Sequence, residues 1–231
     1  MNVIELNNLT FRWPGQTEDL LNIPHLYIEK GEKVFLKGPS GSGKSSLLSL
    51  LAGITHPSTG SINLLQQSFS HLKPTQRDKF RADHIGYIFQ MFNLLPYLSV
   101  IDNVLLPCRF STRRKMQIKD SLEAEAKRIL NQLHLPQSCL NRPISELSIG
   151  QQQRVAAARA LIGQPELLIA DEPTSSLDHD NREAFIELLM NECEQAQTTL
   201  LFVSHDATLE SLFDRSIALH DINHAYKGST Q

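Results

Sequence analysis

The chain has 231 residues, of which 41% are apolar and 20% charged, so it can fill one large core and is not a disordered polyelectrolyte. A formal net charge of -3 offers no overall attraction to nucleic acid or to an anionic membrane surface, and no nucleic-acid partner is expected. The longest apolar runs, such as Leu50-Leu51-Ala52 and Leu167-Leu168-Ile169-Ala170, fall far short of the roughly 20 residues of a membrane-spanning helix.

The start, Met1-Asn2-Val3-Ile4-Glu5, has neither a basic segment nor an apolar run with a small-residue cleavage site, so the protein is expected to stay in the cytoplasm. Cys108, Cys139 and Cys193 are odd in number and far apart, which suits neither a disulfide framework nor a zinc site; they read as reduced thiols.

Along the chain, residues 3–6, 26–29 and 33–37 read as short strands separated by Pro, Gly and Asn turn signals. Residues 44–52, with leucines at 47, 48, 50 and 51 and Gly53 at the stop, read as a buried helix. A strand follows at 85–90. From about 92 to 160 the pattern is helical, with an amphipathic stretch at 123–130 and a second helix opening at Ser148. The basic run Arg113-Arg114-Lys115 within it reads as solvated.

Strands at 167–171, 199–204 and 215–220 then alternate with helices at 181–196 and near Leu209. The whole reads as α/β, one domain over 1–231: a core sheet with an antiparallel β part, built from about 1–90 and 161–231, and an inserted helical subdomain at about 91–160. No internal repeat or sustained heptad pattern is present, which sets aside solenoids and coiled-coil arms.

Gly38-Pro39-Ser40-Gly41-Ser42-Gly43-Lys44-Ser45 fits G-x-x-x-x-G-K-[ST], and it lies between a predicted strand and a predicted helix, as that phosphate-binding loop requires. Glycines at 38, 41 and 43 let successive N–H groups turn inward, with no room for anything larger, and the helix adds its positive end. Lys44 should neutralise the β- and γ-phosphates, the Ser45 hydroxyl should complete the shell of a magnesium ion, and Ser46 beside it joins the nucleotide-binding residues. The apolar strand 167–171 ends in Asp171-Glu172, one carboxylate for the metal and one to polarise the attacking water. Alone, such a strand end would more often be a solvated surface.

Leu147-Ser148-Ile149-Gly150-Gln151, placed before a helix and upstream of the acidic strand, resembles the signature L-S-G-G-Q of the ABC ATPases. The family's other elements follow in order: Gln90 after the strand at 85, Ser175-Ser176-Leu177-Asp178 like the D-loop, and His205 after the strand at 199. Phe11-Arg12-Trp13-Pro14-Gly15 resembles the A-loop, with Trp13 the ring to stack on adenine and Phe11 able to substitute.

The resemblance implies the ABC fold of a P-loop NTPase core and an ATP hydrolase using ATP and Mg2+. Glu172 is the implied base. Gln90 would contact magnesium and water, and His205 the γ-phosphate. It further implies a homodimer in which Ser148, Gly150 and Gln151 of one copy close over the ATP of the other, with Asp178 nearby. Ile149 stands where glycine is usual and would hinder that contact if the position needs an unusual φ.

Residues 88–107 are similar to the ATPases of lipoprotein-release, macrolide-export and cell-division systems. This similarity implies a separate membrane permease that would hold the protein at the inner face of the membrane, and residues 91–107, including Phe92, Leu95, Pro96 and Tyr97, should form part of its docking groove. Among other classes, a non-transport ATPase of a cytosolic complex would carry long coiled coils or two ATPase domains, and a P-loop kinase would need neither the signature nor His205.

Overall fold

The computed structural model describes residues 1–175 and 179–225, with residues 179–181 described by backbone alone. Two sheets organise it. The first is antiparallel, with β2 (Leu21–Glu29), β1 (Asn2–Phe11), β4 (Thr59–Leu64) and β5 (Gln67–Ser68) in that spatial order. The second is parallel throughout, in the order β6 (Ile85–Ile88), β7 (Leu167–Asp171), β8 (Thr199–Val203), β3 (Lys33–Lys37), β9 (Arg215–Ala218).

The central strands are apolar on both faces, as a covered parallel sheet demands, and their period of two sorts side chains into two cores. Val34, Leu36, Leu167, Ile169, Leu201 and Val203 face the helix α1 (Lys44–Leu51) and the antiparallel sheet. Phe35, Leu168, Ala170, Leu200 and Phe202 face the other way, into a core that continues through α3 (Val100–Phe110), α5 (Leu122–Gln132), α6 (Ile149–Leu161) and α7 (His179–Ala196). All parallel strands point the same way, so the loops at their C-terminal ends gather on one edge, where an open α/β sheet binds ligands.

Several expectations change. β1 and β2 are longer than the runs at 3–6 and 26–29, because each alternates buried and exposed residues beyond them. β6 ends at Ile88, leaving Gln90 in the turn that follows. The last strand stops at Ala218, and Leu219–Ile222 form a single turn, α8; the element near Leu209 is a 3-10 turn, Ala207–Leu212.

A helix absent from the sequence reading, α2 (Pro74–His84), starts with proline at its first position and with the Lys73 N–H donating to Gln76 Oε1 at 2.9 Å. It buries only Arg77 and Phe80, so it shows no apolar stripe.

The basic run is solvated only at Lys115, which is exposed. Arg114, in α4 (Thr112–Gln117), is 1% exposed and donates to the carbonyls of Ala160, Ile162 and Ile85 at 3.2, 3.1 and 2.6 Å. Burial pushes its guanidinium down to about 10, still charged at neutral pH. Gly163, at φ 71°, makes room for it: a Cβ there would lie 2.5 Å from Arg114 Cβ. Arg113 pairs with Glu166.

Candidate functional site

The loop 38–45 runs from the end of β3 into α1. Gly43, the N-cap of α1, has φ 99°, and a Cβ there would meet Leu21 Cδ2 at 2.7 Å. A Cβ on Gly38 would meet Ser42 Oγ at 2.7 Å. Gly41 corrects the idea that nothing larger fits: the space beside it is open, and glycine is favoured there by φ 79°. No side chain caps α1, which leaves its first N–H groups facing the loop. Lys44 Nζ folds back over that loop, donating to the carbonyls of Gly38 and Pro39 at 2.5 and 3.0 Å.

A cavity of about 630 Å³ opens above the loop. Ser40, Gly41, Gly43, Lys44, Ser45 and Ser46 line it from one side, and Gln90, Asp171, Glu172 and His205 from the other. Gly38, Pro39 and Ser42 shape the loop without lining the cavity. Ser42 is 2% exposed, and its hydroxyl has no hydrogen-bond partner among the described residues.

Asp171 ends β7 and Glu172 follows it in the bend. Burial, and next the adjoining Glu172 charge, raise the Asp171 carboxyl above the usual range, against the pull of Lys44. Glu172 has φ 47°, uncommon for a side-chain-bearing residue, and its N–H donates to Val203 O at 2.9 Å. That turn brings its carboxylate to His205 Nδ1, 2.8 Å away; the His205 side chain is 70% exposed and that of Glu172 13%.

Helix α6 carries the signature at its start and touches this edge at two further points. At its start the Ser148 hydroxyl accepts the Gln151 N–H at 3.3 Å, and Gln151 Oε1 accepts the Ser148 N–H at 2.9 Å, a capping box. Ile149 is the first helical residue and neither it nor Gly150 has positive φ, so isoleucine brings no backbone strain; its side chain is 55% exposed. One turn on, Gln153 donates to Pro173 O at 2.8 Å and so holds the chain just past Glu172. Near its end, Arg159 donates to the carbonyls of Phe92 and Asn93 at 2.5 and 2.6 Å, fixing the turn after Gln90, where both residues have φ near 50–60° (58° and 49°).

Trp13 does not line the cavity; it is 40% exposed and meets Phe11 edge-on with centroids 5.1 Å apart. Phe11 cannot replace it as a stacking ring, since it is 4% exposed within the core. Ser148, Gly150 and Gln151 also lie away from this chain's own cavity. Asp178, Ser176 and Leu177 fall outside the described residues. Of residues 91–107, Met91 and Tyr97 are 82% and 79% exposed while Phe92 is buried. Leu20, Gln153 and Arg159 escaped the sequence reading: an apolar wall residue and two donors to backbone carbonyls belong to no motif that points to them.

The family model for ABC transporters matches residues 21–175. The ATP-binding protein YbbA of Escherichia coli K12, an ABC transporter component, is 38% identical over 221 residues, 94% of either chain. The lipoprotein-releasing system ATP-binding protein LolD of Hydrogenovibrio crunogenus is 40% identical over 83% of this chain and 81% of its own. Among solved structures, the ATP-binding cassette MJ0796, a dimer in a post-hydrolysis state with ADP and Pi, superimposes with a TM-score of 0.81 at 32% identity, covering 93% of each chain.

Proposed function

The chain belongs to the ABC transporter family as an ATP-binding, ATP-hydrolysing subunit, and from that premise we propose how its residues share the work. The observation that carries the assignment is the convergence of Lys44, Ser45, Gln90, Asp171, Glu172 and His205, from four separate segments, on one cavity.

The N–H groups of residues 41–45 and the start of α1 cradle the β-phosphate, and Lys44 exchanges the carbonyls of its own loop for phosphate oxygens. Trp13 stacks on the adenine. Ser45, Asp171 and Gln90 are the magnesium ligands. Their hard oxygen donors suit that ion, and a cation beside Asp171 would relieve the burial and repulsion that raise its carboxyl. Magnesium supplies charge neutralisation at the β- and γ-phosphates. Glu172 polarises the attacking water, and His205, held by that carboxylate, orients it against the γ-phosphate.

The signature residues Ser148, Gly150 and Gln151, with Asp178, complete the site of a second copy, giving an ATP-bound homodimer. MJ0796 supports this reading as a dimeric relative of the same fold. Residues 91–160 act as the helical subdomain that takes force to a membrane permease. The exposed Met91, in the turn that begins at Gln90, and Tyr97, in the turn that follows it, form part of the permease surface. The protein thus works at the inner face of the membrane without inserting in it; no helix among the described residues is long and apolar enough to cross.

The test is ATP binding and hydrolysis across a magnesium titration. Lys44→Ala should lose turnover by at least about a hundredfold, as removal of a transition-state charge does. Asp171→Asn should keep metal-free ATP binding while losing the magnesium dependence. Metal-dependent turnover at the wild-type level in either variant would refute the assignment.

A further inference from the structure

Lys37 closes β3 and immediately precedes Gly38 of the phosphate loop. Its ammonium does not face the cavity. It donates to both carboxylate oxygens of Glu210, at 2.8 and 2.9 Å. Glu210 belongs to the 3-10 turn Ala207–Leu212, five residues after His205. The Lys37 bond, and next the neighbouring Ser216 hydroxyl, hold the Glu210 carboxyl below its usual range. That carboxylate therefore fastens the turn to the end of β3.

The segment between is short. The Ser204 N–H donates to Leu36 O at 3.3 Å, Asp206 caps the turn by accepting the Thr208 N–H at 3.1 Å, and His205 projects between them with its side chain 70% exposed. So exposed a side chain is not fixed by packing; its bond to Glu172 needs the backbone fastened where the imidazole can reach that carboxylate.

We infer that Lys37 and Glu210 are a positioning pair for ATP hydrolysis: their ion pair ties the His205 segment to the strand that feeds the phosphate loop, and so sets His205 against Glu172 and the γ-phosphate. Neither residue lines the cavity, so the pair acts through His205 and not by touching nucleotide. The inference rests on the role of His205 proposed above. The side chains are 38% and 25% exposed, so salt should weaken the pair.

The test is steady-state ATP hydrolysis by the full chain, its Lys37→Met and Glu210→Gln variants, the charge swap Lys37→Glu with Glu210→Lys, and His205→Ala, at low salt and at about 1 M salt, where the Debye length is near 3 Å. Each single neutralisation should lower kcat about three- to fivefold at low salt with KM for ATP within about twofold. The swap should regain most of that loss, and the wild type should converge on the neutralised variants at high salt.

Wild-type kcat in both neutralised variants, with His205→Ala impaired, would overturn this inference alone. Full turnover in His205→Ala would remove the role of His205 as well. A raised KM in Lys37→Met but not in Glu210→Gln would make Lys37 a phosphate ligand, and an unrescued loss accompanied by a lower melting temperature would reduce the pair to ordinary structural support; either contradicts it.

Discussion

Asp171 and Glu172 are neighbours in sequence with different partners: burial and the adjoining Glu172 charge bear on one carboxylate, while the other bonds the exposed His205. Because folding raises the Asp171 carboxyl above its unfolded value, the folded chain binds more protons between those two values, and stability without ligand falls as pH rises through them. Asp171→Asn removes that burden. Its melting temperature without nucleotide should exceed that of the wild type at neutral pH, and the two should converge in acid below the ordinary carboxylate range; a lower melting temperature at neutral pH would contradict this reading of the site. Trp13 is the single tryptophan of the chain, so its intrinsic fluorescence tests the proposed stacking on adenine. Adding ATP should change that emission, and Trp13→Ala should weaken ATP binding about three- to tenfold, the worth of an aromatic stack. Unchanged emission and affinity would move the adenine elsewhere.

Among the elements, α6 joins the signature to the rest of the site through Gln153 on Pro173 and Arg159 on the turn after Gln90. A rotation of the helices between β6 and β7 would thus move both the signature and the chain around Gln90 and Glu172. Arg114 ties α4 to the ends of β6 and α6 by three carbonyls inside the protein, so removing it strands those acceptors and leaves a void. Arg114→Met should cost about 3 kcal/mol in urea unfolding, the penalty of unpaired buried polar groups; a change under about 0.5 kcal/mol would contradict it.

The contrast between Arg114 and Lys44 marks what the sequence reveals. Lys44 is legible because phosphate chemistry demands glycines and a lysine at fixed spacing, and Gln90, Asp171, Glu172 and His205 are legible by their order around it. Arg114, Gln153 and Arg159 bind backbone carbonyls of segments remote in sequence, and a carbonyl carries no residue identity. The polar helix α2 was hidden for a related reason: it offers no apolar period to detect. The strands of the parallel sheet were the easiest to find, since coverage on both faces makes them apolar runs bounded by turns.

At the scale of the whole molecule, the two cores divide along the faces of the parallel sheet, and the nucleotide edge lies where β3, β7 and β8 end. The cavity holds the loop, the acids and the histidine but none of Ser148, Gly150 and Gln151, which sit at the start of α6. A chain whose signature does not reach its own phosphate loop fits the proposal that a second copy completes the site. The central measurement is size-exclusion chromatography with magnesium and ATP, paired with hydrolysis rates, on the wild type and Glu172→Gln. Glu172→Gln should lose turnover and elute as a dimer only when ATP is present. A Glu172→Gln protein that hydrolyses ATP at the wild-type rate and stays monomeric would contradict it.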